Sequence, residues 1–297
     1  MNTKKNELMS QYAIKEQKIG PYAFQQWGQG QETVVYLHGW QDNGNSFLPL
    51  QPFTNPAQRH IAVDFLGHGR SDWKSPDSYY YFIDYVYDLK CFLDALEIET
   101  CHLVGHSMGA MVANLFAACY PKRCDSLALI EGIGIVCSSE SQTQQQLINA
   151  FTSRDKLNTA KPRAYDSLEV LAKVRAKVGD IDSEAAKTLM QRNTHASAHG
   201  VELLTDPRLK HHSGFRYSLP QAKAALGDIN TATLFIAAEQ GFNMIKGQLN
   251  QFRDCFSDLS IEKVPGGHHC HMENPEICYK LIAKHQAQLE NSNTGME

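Results

Sequence analysis

The chain has 297 residues, of which 42% are hydrophobic and 20% are charged, and its formal net charge is −4. These values are typical of a globular protein with one large domain. The slightly acidic balance, without any arginine- or lysine-rich block, argues against a nucleic-acid-binding surface. No apolar run approaches the roughly 18 residues that a membrane span requires.

The cysteines and the N-terminal residues indicate the compartment. The eight cysteines include no Cys-x-x-Cys pair, whereas a disulfide framework is typical of small secreted domains. Residues 1–7 contain lysines with no apolar core behind them, which is unlike a secretory signal. We therefore expect a cytoplasmic protein with reduced cysteines.

Hydrophobic patterning predicts strands that alternate with helices. Before residue 136, strands are predicted at residues 11–18, 22–28, 33–37, 60–63, 101–104 and 126–130, and helices at residues 81–96 and 110–119. After residue 228, strands are predicted at residues 231–237 and 259–264, and helices at residues 243–252 and 275–289. This alternation is typical of an α/β fold with a mostly parallel central sheet flanked by helices.

The middle of the chain has a different pattern. Residues 138–225 lack runs typical of buried strands and show helical spacing near residues 142–153, 167–178 and 183–194. We interpret residues 136–228 as a helical lid, or cap, inserted into an α/β core that comprises residues 1–135 and 229–297.

The most informative motif is Gly-His-Ser-Met-Gly at residues 105–109, between a predicted strand and a predicted helix. This context is that of a nucleophile elbow, whose tight turn accommodates glycine at positions 105 and 109. The turn would hold the Ser107 hydroxyl at a helix N-terminus, where developing negative charge is stabilised. Ser107 is therefore the predicted nucleophile.

A histidine-rich loop follows the last predicted strand, at residues 264–275. A serine nucleophile needs a base within about 3 Å, and the order of serine first and histidine last is that of α/β-hydrolases. We predict His268 as this base, because Gly266 and Gly267 allow the loop to reach back across the sheet. His271 is expected to pack or to form local hydrogen bonds, and His269 to point away.

The same loop has an alternative interpretation as a metal site formed by His268, His269, Cys270 and His271. Metal ligands need matched spacing and usually a partner elsewhere in the chain, and no zinc-hydrolase motif is present. We therefore expect neither a metal nor an organic cofactor.

Two glutamates are candidates for the acid that orients the imidazole. Glu131 ends an apolar strand, and Glu239 follows the first strand after the insertion. A lone carboxylate at the end of a buried strand is costly unless its charge is needed, and a nearby imidazolium would need it. We prefer Glu131 to Glu239. A salt bridge or a helix cap is the alternative role for Glu131.

An oxyanion hole requires two N–H donors. The backbone amide of Met108, directly after the nucleophile, is expected to supply one, and that of Trp40 the other. The Trp40 side chain has two equally favoured roles, as a wall of an acyl pocket or as packing beneath the lid. His38 is expected to form structural hydrogen bonds.

Together these motifs resemble the α/β-hydrolase superfamily and, within it, the serine hydrolase-like protein family. The similarity spans roughly residues 20–285. It is carried by residues 38–43 with Ser46 and Phe47, by Asp64 and Phe65 with residues 67–69, by residues 105–109, by residues 264–266 with His268 and residues 271–272, and by Gln191, Arg192, Gly200, Asp206, Arg208 and Leu209.

The resemblance also has implications for the acid. In this family the acid follows the strand after the elbow, usually as an aspartate, which supports Glu131, although glutamate departs from the pattern. In many other such hydrolases the acid follows the strand after the lid, where this chain has Gly241. Haloalkane dehalogenases are similar too, but their nucleophile is an aspartate, and serine at position 107 excludes that chemistry.

The function predicted on these grounds is that of a serine hydrolase acting on carboxylic esters or related small acyl compounds. Two alternatives remain open at this stage. One is a non-catalytic, receptor-like member of the fold that binds a small ligand, and the other is a carbon–carbon bond hydrolase with the same triad.

Overall fold

The computed structural model describes residues 13–158, 164–179 and 181–294. Their strands are β1 Lys15–Ile19, β2 Tyr22–Trp27, β3 Thr33–Leu37, β4 Arg59–Val63, β5 Cys101–His106, β6 Cys124–Ile130, β7 Ala164–Tyr165, β8 Thr194–Ser197, β9 Gly200–Leu203, β10 Thr233–Ala238 and β11 Leu259–Val264. Their α-helices are α1 Asp84–Ala95, α2 Met108–Cys119, α3 Thr143–Asn158, α4 Leu168–Val178, α5 Ser183–Arg192, α6 Leu219–Leu226, α7 Asn243–Phe252, α8 Cys270–Glu273 and α9 Pro275–Thr294. Short 3-10 helices occur at Gly44–Phe53, Pro121–Arg123, Glu140–Gln142, Pro207–Lys210 and Arg253–Cys255.

Eight strands form one sheet in the order β1-β2-β4-β3-β5-β6-β10-β11. Pairing is antiparallel at β1–β2 and β2–β4 and parallel across the rest of the sheet. The predicted mostly parallel sheet is therefore confirmed. The parallel strands end at the same edge, so the loops after β3, β5, β6, β10 and β11 meet there.

The core lies on both faces of this sheet. Within β3, Val35 and Leu37 belong to one buried cluster, and Val34 and Tyr36 belong to the other. Successive side chains of a strand point to opposite faces, so an uninterrupted apolar run fits a strand covered on both sides. This arrangement explains why the strands that were predicted to be buried consist of continuous apolar residues.

Several element boundaries differ from the prediction. The first strand begins at Lys15, whereas the prediction started at residue 11, and residues 11 and 12 lie outside the described residues. The last helix continues to Thr294 instead of ending at residue 289. Polar residues at the helix end carry no stop signal such as glycine or proline before Gly295.

The segment between β6 and β10 is not purely helical, so that part of the prediction is wrong. Besides α3 to α6, it contains a three-stranded antiparallel sheet in the order β7-β9-β8. These strands have two to four residues and no fully buried position. Runs so short and so exposed lack the apolar signal from which strands are predicted.

Buried polar contacts attach this inserted segment to the sheet. Arg192 at the end of α5 donates from Nε to both carboxylate oxygens of Asp64, at 2.9 Å each. The Asn43 side-chain amide donates to the Leu189 carbonyl at 2.9 Å. Arg192 and Asp64 are 1% and 0% exposed, and a buried charge requires such a partner.

Within the part of the chain that the structure describes, no helix has the length and apolar character needed to cross a bilayer.

Candidate active site

Ser107 occupies the sharp turn between β5 and α2. Its backbone lies in a strained region, with φ 51° and ψ −115°, and its amide donates to the Ile130 carbonyl at 2.9 Å. The flanking glycines allow close contacts, since a Cβ at Gly105 would lie 2.5 Å from the Ala110 backbone and one at Gly109 2.0 Å from the Leu37 carbonyl oxygen. The strained backbone of Ser107 is therefore held by a tightly packed turn, and this turn exposes the Ser107 hydroxyl.

His268 lies opposite this hydroxyl. Its Nε2 is 2.9 Å from Ser107 Oγ, and the side chain is only 8% exposed. Hydrogen bonds position the loop, because Glu273 accepts from the Gly267 amide at 2.9 Å and the Asn274 amide group donates to the Pro265 carbonyl at 2.9 Å. The imidazole is therefore held within hydrogen-bonding reach of the serine.

Glu131 lies on the other side of the imidazole, at the end of β6. Its Oε2 is 3.3 Å from His268 Nδ1, and its Oε1 accepts from the Ala238 amide at 2.7 Å. The residue has a positive φ of 49°, and its side chain is 2% exposed. Glu239, the rival candidate, is exposed. The structure thus brings Glu131, His268 and Ser107 into one line and leaves Glu239 out of it.

The two predicted oxyanion amides come from neighbouring segments. Met108 is the first residue of α2, and the loop with Trp40 follows β3. A Cβ at Gly109 would meet the carbonyl oxygens of both Leu37 and His38, so the first turn of α2 packs against the start of that loop. Unpaired amides in the first turn of a helix favour an anion.

The side chains of that loop have separate roles. The Trp40 indole is 51% exposed and donates to the Leu209 carbonyl of the inserted segment at 3.2 Å. His38 donates from Nδ1 to the Gly39 carbonyl at 2.7 Å and accepts from the Phe65 amide at 3.0 Å. His38 is thus a structural hydrogen-bonding residue, as expected.

The residues of the histidine loop diverge. His271 Nε2 is 2.8 Å from Ser46 Oγ, and His269 Nε2 is 3.1 Å from Asp42 Oδ2. Cys270 is buried, and its carbonyl accepts from the Cys278 thiol at 3.7 Å. The metal site considered for these four loop residues is therefore not assembled. His269 does point away from Ser107, but into the protein interior.

Two features of this region were missed by sequence reasoning. Phe242 stacks on the His268 ring at a centroid distance of 4.3 Å. Asp42 is buried between His269, His106 and Arg175. Burial by itself raises the pKa of Asp42, but the adjacent His269 and Arg175 outweigh it and hold that pKa well below its usual range. No local pattern reports these contacts.

A cavity of about 680 Å³ opens between the segment that follows β6, the start of α6 and helix α7. Its lining includes Ile135, Ser218 and Met244, and Met244 lies two residues beyond Phe242. Ser107, His268 and Glu131 do not contribute to its lining.

Comparison with known proteins identifies the fold family. The sequence model described as the alpha/beta hydrolase fold matches residues 32–275. A serine hydrolase-like protein of Danio rerio is 28% identical over 87% of this chain and 82% of its own length. A serine hydrolase-like protein of Dictyostelium discoideum is 31% identical over 84% of this chain and 73% of its own length.

Solved structures agree with this assignment. A hypothetical protein of Pseudomonas aeruginosa PAO1 superposes with a TM-score of 0.80 at 29% identity, over 93% of this chain and 98% of the other. A thioesterase domain from the curacin biosynthetic pathway has a TM-score of 0.78 at 22% identity, over 92% and 99%; at that identity the likeness concerns the fold alone. The chain belongs to the alpha/beta hydrolase fold family and, within it, to the serine hydrolase-like proteins.

Proposed function

We propose that this protein is a serine hydrolase that cleaves carboxylic esters or related acyl compounds through a triad of Ser107, His268 and Glu131. The observation that carries the proposal is the continuous contact from Ser107 Oγ to His268 Nε2 at 2.9 Å and from His268 Nδ1 to Glu131 Oε2 at 3.3 Å. A hydroxyl, an imidazole and a carboxylate in this order form the arrangement that activates a serine nucleophile.

The reaction begins with attack of Ser107 Oγ on the substrate carbonyl carbon while His268 Nε2 accepts the hydroxyl proton. Glu131 accepts a hydrogen bond from Nδ1–H of His268, which holds the tautomer and stabilises the imidazolium without transfer of that proton. His268 then protonates the leaving alcohol, and an acyl-enzyme remains on Ser107. Water, deprotonated by His268, attacks the acyl carbon. The bond from that carbon to Ser107 Oγ then breaks, His268 returns the proton to Oγ, and the acid is released. Every proton passes through His268, so no cofactor is needed.

The backbone amides of Trp40 and Met108 are the proposed donors to the oxyanion of the tetrahedral intermediate. Support comes from the contact of Gly109 with the carbonyls of Leu37 and His38, which brings both segments to the nucleophile. Loss of one such donor typically costs about 10²–10³ in kcat. Because main-chain groups act here, the exposed face of the Trp40 indole can contact substrate while its N–H bonds to Leu209.

Residues 136–228 are the proposed cap over this site, with residues 1–135 and 229–297 as the catalytic core. Contacts to the loops at the carboxyl edge of the sheet support this division. The Trp40 indole bonds to Leu209 at 3.2 Å, and Asp42 bonds to Arg175 at 2.7 Å. A segment in this position determines which acyl and alcohol groups enter.

Labelling with a fluorophosphonate tests the nucleophile. Wild-type protein is expected to incorporate one label, and Ser107→Ala to incorporate none. Ser260→Ala is the matched control, since Ser260 lies near the start of β11, at the opposite edge of the sheet, and bonds to the Thr233 carbonyl. Undiminished labelling of Ser107→Ala would remove Ser107 from the mechanism.

A panel of p-nitrophenyl esters of increasing acyl length tests the reaction. Turnover of at least one ester that is lost in Ser107→Ala supports the hydrolase. Tight binding of the same esters without turnover by the wild-type protein would instead favour the receptor-like alternative.

A further inference from the structure

A second polar constellation lies behind the proposed triad and is not used by the reaction. It consists of Asp42 from the loop after β3, His106 at the end of β5 and His269 from the loop after β11; we refer to these residues as the Asp42 cluster. All three are buried, at 1%, 1% and 3% exposure. Their candidate ligand atoms lie within 4.8 Å of one another.

The proton positions in this cluster leave a lone pair without a partner. His106 Nε2 is 2.9 Å from the His268 carbonyl oxygen, which only accepts, so Nε2 carries a proton and the neutral ring keeps a lone pair on Nδ1. Nδ1 has no hydrogen-bond partner among the residues that the structure describes. It lies 3.8 Å from Asp42 Oδ2, which is too far for a hydrogen bond.

The contact between this nitrogen and the carboxylate is unfavourable as it stands. Asp42 Oδ2 and His106 Nδ1 both present lone pairs, and in a medium of low polarity two lone pairs 3.8 Å apart repel. A cation between them would replace this repulsion with attraction to both.

The spacing suits a single transition-metal ion. Zinc binds His nitrogen and carboxylate oxygen at about 2.0–2.2 Å, which in a tetrahedral site separates ligand atoms by about 3.4 Å. The distances to Asp42 Oδ2 are 3.8 Å from His106 Nδ1 and 3.1 Å from His269 Nε2. On binding, the Nε2 proton of His269 moves to Nδ1, which has no hydrogen-bond partner in the described part of the chain.

The surrounding contacts are those of a ligand set. A histidine that binds a metal typically donates its other N–H to a carbonyl, as His106 does to His268. A carboxylate ligand is typically hydrogen-bonded as well, and Asp42 Oδ1 accepts from Arg175 at 2.7 Å. This leaves Oδ2 as the ligand atom. Mg²⁺ and Ca²⁺ need several oxygen ligands, and the Arg175 charge beside Asp42 disfavours their binding. A transition metal is favoured instead, because two neutral imidazoles supply most of its ligands.

We infer that Asp42, His106 and His269 form a binding site for a divalent transition metal, with Zn²⁺ the best-fitting ion. The ion would contact neither Ser107 nor the substrate. It would tie together the loops after β3, β5 and β11, which carry Trp40, Ser107 and His268, and would therefore stabilise the folded chain.

Metal analysis of the whole chain tests this site directly. Chelator-treated protein is dialysed to equilibrium against Zn²⁺, and bound zinc is measured together with the melting temperature. We expect one Zn²⁺ per chain and an increase in Tm of several degrees. Co²⁺ in place of Zn²⁺ is expected to produce the visible absorption of a low-coordinate site in which two imidazole nitrogens and a carboxylate oxygen bind the ion, a readout that needs no substitution.

Two variants locate the ion. His269→Gln removes one ligand and is expected to weaken zinc binding at least tenfold. His195→Gln is the control, because His195 is an exposed histidine 3.8 Å from Glu202 and outside the cluster. Absence of stoichiometric zinc on wild-type protein, or equal binding by His269→Gln, would overturn the inference. Neither result bears on the proposed role of Ser107.

Discussion

Gly241 and Glu131 lie against each other across the carboxyl edge of the sheet. A Cβ at position 241 would lie 2.3 Å from Glu131 Oε2 and 2.6 Å from its carboxyl carbon. Glycine at position 241 therefore provides the space that the Glu131 carboxylate occupies. The presence of a glutamate after β6 and the absence of an acidic side chain at position 241, after β10, therefore go together: a side chain at position 241 would occupy the space of the Glu131 carboxylate.

The first prediction concerns the charge of Glu131. Glu131→Gln keeps the size of the side chain but cannot stabilise the imidazolium, so we expect kcat for ester hydrolysis to fall by about 10³–10⁴. Glu239→Gln is the matched control, since Glu239 is exposed, and should keep wild-type kcat. Equal kcat in wild-type and Glu131→Gln would exclude Glu131 as the acid.

The second prediction concerns the space at position 241. In Gly241→Ala the new methyl group displaces a carboxylate that is held by the Ala238 amide at 2.7 Å. We expect kcat to fall at least about tenfold, with little change in the urea midpoint because the methyl group meets a side-chain end. A variant with normal kcat would show that the carboxylate can shift without consequence.

A third prediction follows from the same geometry. In the double variant Glu131→Ala/Gly241→Asp, removal of the Glu131 carboxylate leaves a space next to position 241, and the introduced carboxylate can occupy it. We expect the double variant to recover part of the kcat that Glu131→Ala loses. Steady-state kinetics of both variants provide the comparison, and the absence of any recovery would contradict it.

The fourth prediction concerns the attachment of the inserted segment. Arg192→Met leaves Asp64 buried without its guanidinium, while the Gly44 and Arg70 amides still donate to it at 2.7 and 2.8 Å. Breaking a buried pair costs about 3–5 kcal/mol of unfolding free energy. Lys280→Met is the control, because that residue's exposed pair with Glu276 is expected to contribute less than about 1 kcal/mol. Urea unfolding measures both, and similar losses would contradict the prediction.

The fifth prediction concerns acid stability. Burial lowers the pKa of His60 to about 4, and its neutral ring accepts from Tyr36 at 3.1 Å and donates to the Asn55 carbonyl at 2.8 Å. Between pH 6.5 and 4 the unfolded chain binds a proton that the folded chain does not, so the unfolding free energy falls as the pH falls.

The size of this effect follows from the difference in pKa. It amounts to about 3 kcal/mol over that interval. His60→Gln should reduce the pH dependence of the unfolding free energy by this amount, whatever its effect at pH 7.5. Denaturant titrations across the interval measure it, and parallel pH profiles of wild type and variant would refute it.

A large part of this structure can be predicted from patterns of residues that lie close together in the sequence. The elbow can be recognised from the sequence, because one short segment contains the apolar strand, the glycines at positions 105 and 109 and the helical run that follows them. The apolar run of β3 likewise indicates a strand covered on both faces. Interactions between residues that are close in the chain dominate both features, and the sequence records such interactions directly.

Contacts between residues that are far apart in the sequence were decided by the tertiary structure alone. Glu131 and Glu239 both follow buried strands, and only the packing of Gly241 against Glu131 and the pairing of β6 with β10 separate the two. Asp42 and His269 meet although 227 positions separate them, and no spacing rule predicts that pair. The small sheet of β7, β8 and β9 was not predicted for the same reason. Its short strands pair with one another, and Tyr165 and Leu203 pack against apolar side chains of α4 and α5.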